Sequence, residues 1–243
     1  TISVDADTGV VTFEQTQNIY HSDETDNDDS ESLSLEPGSL AVSQVVTDAD
    51  GDSDSASVDL SDNVFVIRDD GPDAGEDGRV GEAQLVVDET LPAGDDVDTL
   101  DVSGMFDAPA YGTDGAGSTR YELSLASQGL ASGLYALDAS DTETVIDDLG
   151  QGAEIKLYQL ADGSVVGSTA ADVGSVNAGN TYFTISVDAD TGVVTFEQTQ
   201  NIYHPDETDH DDGQGLELDP GSLAVSQVVT DADGDSDSAS VDL

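Results

Sequence analysis

The chain has 243 residues, with 54 Asp and Glu against 4 Lys and Arg, giving a formal net charge of −50 at pH 7. Arg68, Arg79, Arg120 and Lys156 are too few and too scattered to form a basic patch, which excludes nucleic acid and an anionic membrane surface as direct partners. The absence of cysteine excludes disulfides and thiolate metal sites.

The predicted elements are strands throughout. Thr1-Ile2-Ser3-Val4-Asp5 alternates apolar and polar residues, Ala6-Asp7-Thr8-Gly9 turns, and Val10-Val11-Thr12-Phe13-Glu14 returns, which is the pattern of a β-hairpin. Residues 22–36 are acidic and strand-poor and read as a loop. Strands follow at 40–47, 56–60 and 64–67, the first two separated by an Asp-rich turn. Asp69-Asp70-Gly71-Pro72 through Gly81 carries no pattern and reads as a junction. Beyond it, strands are expected near 85–88, 119–126, 153–160 and 164–168, the last two forming a hairpin around Ala161-Asp162-Gly163. Helical periodicity is weak everywhere, and many short strands with regular turns predict antiparallel β-sandwiches. Val, Ile, Leu and Phe make up 57 of the 243 residues. That lies just above the fraction of roughly 20% below which charged chains stay disordered, so the cores are expected to be small. Four cations cannot neutralise the carboxylates, so neutralisation must come from solution. No apolar run approaches the roughly 20 residues of a membrane span.

Residues 1–60 return as residues 184–243, an offset of 183. The copies differ at seven positions, Ser22/Pro205, Asn27/His210, Ser30/Gly213, Glu31/Gln214, Ser32/Gly215, Ser34/Glu217 and Glu36/Asp219; the other 53 are identical. This is a tandem duplication with a domain-sized unit. The expected organisation is 1–72 as the C-terminal part of one repeat and 73–243 as the next, lacking its last strand. Thr1 falls inside a patterned segment, so the sequence is expected to be part of a longer chain. The middle segment, 73–183, can complete one of the two copies within the chain, and 1–72 is expected to fold largely alone.

The sharpest motif is Thr47-Asp48-Ala49-Asp50-Gly51-Asp52-Ser53-Asp54, repeated at Thr230 to Asp237. Asp48, Asp50 and Asp52, and in the second copy Asp231, Asp233 and Asp235, alternate along a tight turn. Such carboxylates repel one another unless a cation sits among them, and hard oxygen ligands in a flexible loop suit Ca²⁺. The glycine is fourth and the twelfth residue is Asp, so this is a calcium-binding β-loop and not an EF-hand; the competing reading is a solvated acidic turn. Asp69 and Asp70, with Asp88 and Glu89, are candidates for a second calcium site at the junction, against simple linker solvation. His204 to Asp212 mixes imidazole and carboxylate, but Asn27 replaces His210 in the first copy, which favours an acidic loop over zinc. Asp5-Ala6-Asp7 and Asp188-Ala189-Asp190 read as hairpin turns alone. Gly112 to Gly117 is Gly-rich, but no helix pattern follows and the field repels phosphate. With 54 acids, close carboxylate pairs carry no catalytic information, no Ser-His-Asp set is evident, and the chain is not expected to be an enzyme.

Val46-Thr47-Asp48-Ala49-Asp50-Gly51-Asp52, Ser55-Ala56-Ser57-Val58-Asp59-Leu60, Asp69-Asp70-Gly71-Pro72 and Leu85-Val86-Val87-Asp88-Glu89-Thr90 occur in an order that resembles the tandem repeats of giant type I-secreted RTX adhesins. Ser132-Gly133-Leu134-Tyr135-Ala136-Leu137 and Phe183-Thr184-Ile185-Ser186-Val187 fit the same family. The resemblance implies tandem immunoglobulin-like β-sandwich extender domains, rigidified by Ca²⁺, on a Gram-negative cell surface. The calcium role would fall on Asp48, Asp50, Asp52, Asp69 and Asp70 and their later-copy equivalents. The Gly-Gly-x-Gly-x-Asp nonapeptides of RTX proteins are absent, so the resemblance is to stalk. The expected function is a structural extender that projects a distant adhesive region for surface attachment and biofilm formation. Its expected partners are neighbouring repeats of the same chain, with no obligate oligomer. The alternative is a repeated carbohydrate- or surface-binding module acting by avidity; the absence of Trp and the scatter of Tyr favour the extender.

Overall fold

Short β-branched runs punctuated by Gly and Asp dictate an all-β chain. A computed structural model describes residues 1–17, 19–21, 30–68, 71–76, 84–89, 97–141, 150–206 and 212–243. The strands are β1 (Ile2–Val4), β2 (Val11–Phe13), β3 (Ser30–Ser34), β4 (Ala41–Thr47), β5 (Ser53–Asp59), β6 (Asp62–Arg68), β7 (Val97–Asp101), β8 (Ala116–Leu125), β9 (Leu130–Leu137), β10 (Gln151–Gln159), β11 (Val165–Ser168), β12 (Thr181–Val187), β13 (Val193–Gln198), β14 (Leu223–Asp231) and β15 (Ser236–Asp242). Every pairing with a defined register is antiparallel. Two 3₁₀ turns, Ser103–Met105 and Val173–Ser175, are the helical elements among the described residues, and no helix there is long and apolar enough to cross a membrane.

The chain divides into two units. One comprises Thr1–Asp73 with Tyr111–Ser118 and Thr230–Asp237; the other comprises Ala74–Ala110, Thr119–Val229 and Ser238–Leu243. The larger unit holds the core. A six-stranded sheet in the order β7-β13-β12-β11-β10-β9 and a three-stranded sheet in the order β15-β14-β8 supply the apolar cluster. Ile155, Leu157, Val165, Phe183, Ile185 and Val194 come from the first sheet, and Tyr121, Leu123, Leu223, Val225 and Val241 from the second. Two sheets closing on one apolar layer make a β-sandwich. Gly167 faces Phe183 across β11 and β12, and a Cβ on Gly167 would lie 2.2 Å from the ring, so the glycine is what lets the aromatic side chain lie flat over the neighbouring strand.

The smaller unit contains the first copy, as three two-stranded sheets, β1-β2, β3-β6 and β4-β5. Here one sequence meets two environments. In the second copy the β12–β13 hairpin is flanked by β11 and β7, and β14 lies between β15 and β8; among the described residues, the equivalent strands of the first copy pair within their own hairpins. Val229 is fully buried while its equivalent Val46 is 62% exposed, and Val241 is 2% exposed against 66% for Val58. Burial therefore follows the strands supplied by residues 97–168, not local sequence. Val229→Ala is expected to cost about 2 kcal/mol, the transfer term for most of a buried Val side chain. Val46→Ala should change stability by less than about 0.5 kcal/mol, as exposed substitutions do. Urea denaturation of the two variants measures both; equal costs would mean that the copies share one environment.

Two expectations require correction. No strand forms at 85–88: residues 84–89 alternate between exposed and half-buried, but the Val86 N–H donates to the Asp98 carboxylate at 2.8 Å and enters no ladder. The acidic stretch 22–36 is not wholly loop, because β3 pairs with β6 at its C-terminal end. The equivalent residues 213–217 form no strand. There Gly213 and Gly215 replace Ser30 and Ser32, and glycine weakens a strand interior by its backbone freedom.

Candidate metal centre

Each Asp-rich loop is closed by its first aspartate. In the first copy β4 and β5 run in register up to Thr47 opposite Ser53, leaving Asp48–Asp52 as the turn. The Asp48 N–H donates to the Asp52 carbonyl at 2.9 Å, and Asp48 Oδ1 accepts the N–H groups of Asp50, Gly51 and Asp52 at 3.3, 3.1 and 3.0 Å. The interaction with the Asp50 side chain, set against desolvation and aided by those backbone donors, holds the Asp48 carboxyl below its ordinary value. The second copy repeats the design: the Asp231 N–H donates to Asp235 O at 3.0 Å, and Asp231 Oδ1 accepts from Gly234 and Asp235, each at 3.0 Å. Hydroxyl pairs brace the strands in both copies. Thr47 and Ser53 meet at 2.8 Å, as do Thr230 and Ser236; Ser43 and Ser57 meet at 2.7 Å, and Ser226 and Ser240 at 2.8 Å.

The loops differ in what surrounds them. Asp48, Asp50 and Asp52 bring carboxylate oxygens within 4.8 Å of one another and are all exposed. In the second copy the set within 4.8 Å is Asp114, Asp231 and Asp233. Asp114 sits in the turn that leads into β8. That turn is fixed on the loop by the Ala232 N–H, which donates to Gly115 O at 3.0 Å. Gly117 allows the approach: a Cβ there would lie 1.9 Å from the Asp231 carbonyl oxygen, so only glycine fits. Asp231 is 3% exposed, and its Oδ2 is buried with no hydrogen-bond partner.

These features fit a metal ion. Two carboxylates about 4.8 Å apart repel by roughly 3.5 kcal/mol at an effective dielectric near 20, before screening by water, and burial removes part of that screening. An ion with oxygen ligands at about 2.3–2.6 Å accommodates ligand atoms up to roughly 5 Å apart. It also supplies the partner that Asp231 Oδ2 lacks, where an unpaired buried charge is costly. On the protein side little can do this: Arg120 meets Glu122 at 3.6 Å on the exposed surface.

The structure brings together Asp48, Asp50 and Asp52, and separately Asp231 and Asp233. Asp235 is buried but lies outside the second set, its place taken by Asp114, which sequence reasoning missed. Asp69 and Asp70 lie outside the described residues, as does His210. Asp88 is exposed. Glu89 turns inward: its Oε1 accepts from the Gln198 amide and from the Ile202 N–H at 2.8 Å, and its Oε2 lies 3.6 Å from His204 Nε2. Asp5 and Asp188 act as the hairpin-turn residues their spacing predicts, each accepting N–H groups from the residues two and three positions on.

The profile of a domain of unknown function, DUF5801, matches residues 1–61 and 84–243. The chain belongs to the DUF5801 family. The first matched stretch covers the duplicated sixty residues, and the second covers the middle segment together with the second copy, so the carboxylate set at Asp114, Asp231 and Asp233 lies wholly within the second DUF5801 stretch. No curated protein and no solved structure matches the chain significantly.

The turns of this DUF5801 chain carry a pH dependence of known sign. The hydroxyls of Ser140, Ser164 and Thr191, followed by backbone N–H groups, hold Asp138, Asp162 and Asp188 below the ordinary carboxylate value of 3.8. A depressed folded-state value means stability that is fully present above about pH 3.8 and lost as pH falls through the lowered value. Ser164→Ala is expected to move the Asp162 titration, followed by NMR, upward toward 3.8; an unmoved titration would show that the hydroxyl has no such role.

Proposed function

We propose that the chain is a calcium-stiffened extender from the stalk of a Gram-negative cell-surface adhesin, exported by type I secretion. It would project a distal ligand-binding region for surface attachment and biofilm formation. The observation that carries this reading is the Asp114–Asp231–Asp233 set, half-buried around the buried Asp231 with its unpartnered oxygen, in a chain of net charge −50. Three carboxylates with room for backbone carbonyls and water make a hard, all-oxygen donor set, which suits Ca²⁺. Asp231 and Asp233 come from the β14–β15 turn and Asp114 from the turn before β8, so an ion there ties together the ends of strands in one sheet. Extracellular calcium is abundant enough for sites with Kd of about 10⁻⁴–10⁻³ M to be filled outside the cell. Near-verbatim duplication supports a role that rewards length, and the motif order resembling RTX adhesin stalks supports the same role. Small-angle scattering on a tandem array of the chain in calcium tests it. The expected radius of gyration lies well above that of a globular protein of equal length; a globular value would overturn the extender reading.

A further inference from the structure

Glu89 is a carboxylate turned into the larger unit, in a chain with few cations to meet it. Amide donors meet it instead. Its Oε1 accepts from the Gln198 side chain and from the Ile202 N–H at 2.8 Å, and its Oε2 lies 3.6 Å from His204 Nε2. These partners lie far from Glu89 in sequence. Gln198 ends β13, and its amide also donates to Gln200 O at 3.1 Å. Ile202 bridges to Ala136 of β9, and the Tyr203 N–H donates to Tyr135 O at 2.9 Å. His204 directly precedes the acidic stretch in which the two copies differ. On the other side, the Val86 N–H donates to Asp98 of β7 at 2.8 Å, and Leu85 packs against the core. Residues 85–89 are thus a strap held by Leu85, Val86 and Glu89. Hydrogen bonds to a charged acceptor are stronger than neutral ones, and both Asp98 and Glu89 supply such bonds. The strap buries little, with Val86 exposed and Leu85 and Val87 half-buried. Few buried apolar contacts mark a segment that opens locally.

We propose that Glu89 is a latch. Its carboxylate fastens the strap 85–89 to the end of β13 and to the root of the acidic stretch that follows His204. These pieces open together, in one event, before the sandwich unfolds. The inference rests on hydrogen bonding and burial, and does not depend on the calcium or extender readings.

Native-state hydrogen exchange, followed by NMR on the whole chain, tests it. The reporters are the Val86 and Ile202 amides, with Ile185 in mid-β12 as the core reference. Val86 and Ile202 should show one common opening free energy, below that of Ile185. Their exchange should also depend less on urea, because the slope follows the surface exposed. Glu89→Ala should speed Ile202 by roughly 10- to 100-fold, the scale of one hydrogen bond to a charged group. The decisive reporter is Val86. Its acceptor, Asp98, is untouched by that substitution, yet it should speed by a similar factor because one event exposes both amides. Asp98→Ala should likewise speed Ile202, and this second variant decides the matter if Glu89→Ala does not fold. Three results would overturn the latch. Val86 could keep its rate in Glu89→Ala while Ile202 speeds, making the two contacts independent. Ile202 could keep its rate in Asp98→Ala. Or Val86 and Ile202 could share the opening free energy and urea slope of Ile185, making the opening global.

Discussion

Phe183→Ala is expected to remove about 3–5 kcal/mol of stability, the usual cost of emptying a buried aromatic site. Phe183 is 1% exposed and packs edge-on against Phe196, with ring centroids 5.4 Å apart and planes at 73°. Its other face covers Gly167, which has no side chain to fill the space left behind. The surrounding backbone belongs to paired strands on both sides of β12, so collapse into the cavity is restricted and the cost should lie toward the upper end. Set against a typical domain stability of about 5–15 kcal/mol, the loss would leave much of the larger unit unfolded in mild denaturant. Urea denaturation followed by tyrosine fluorescence measures it. Phe13, at the position equivalent to Phe196, is 37% exposed, and Phe13→Ala should cost far less. A cost below about 1 kcal/mol for Phe183→Ala would be incompatible with the described core.

Chelation should have an effect of similar size. Folding gathers carboxylates that are further apart in the unfolded chain, so a divalent ion would bind the native state in preference. A native-only ligand stabilises by about 2.7 kcal/mol per site at 100 times its Kd. EDTA is therefore expected to lower the melting temperature markedly, and NaCl at equal ionic strength to recover part of the loss. The difference matters because screening acts on all 54 acids alike, whereas a site needs the divalent ion. Asp233→Ala and Asp114→Asn should each weaken the calcium response, since both side chains are half-buried and belong to the set around the buried Asp231. Asp50→Ala should weaken it less, because its cluster is fully exposed and water screens the repulsion. Melting that EDTA leaves unchanged, or that monovalent salt restores fully, would reduce the Asp clusters to solvated turns.

The hairpins were legible because their information is local. Alternation around Thr8-Gly9 and around Asp162-Gly163 marks β1–β2 and β10–β11, and both form. β9 was hidden by its glycine: Gly133 has a φ of 78°, and the strand there is carried by Ser132, whose hydroxyl donates to Ile155 O at 2.6 Å. β7 is short and rich in aspartate, and only its place beside β13 makes it a strand. The apolar Leu85-Val86-Val87 misled in the opposite direction, since composition without a pairing partner makes no ladder. The candidate metal centre was half legible. Asp231 and Asp233 lie close in sequence, and their spacing announces them. Asp114 is more than a hundred residues away, and the glycines around it are also those of an ordinary turn. Burial was the least legible property: Val46 and Val229 sit in identical sequence, and only the long-range partners tell them apart.

The hydroxyl pairs along β4–β5 and β14–β15 have a consequence for how the molecule assembles. Ser43–Ser57 and Thr47–Ser53 keep the distances of their second-copy equivalents although one hairpin is exposed and the other covered. Register in these hairpins is thus fixed by contacts within residues 41–59 and 224–242, without help from a core. Such local pairings form in about 1–10 μs, long before distant strands find one another. The slow event is then the arrival of the strands between residues 97 and 168 on a hairpin already zipped. Two hairpins of identical sequence offer the same register, and in the structure the strands from 97–168 lie beside the second.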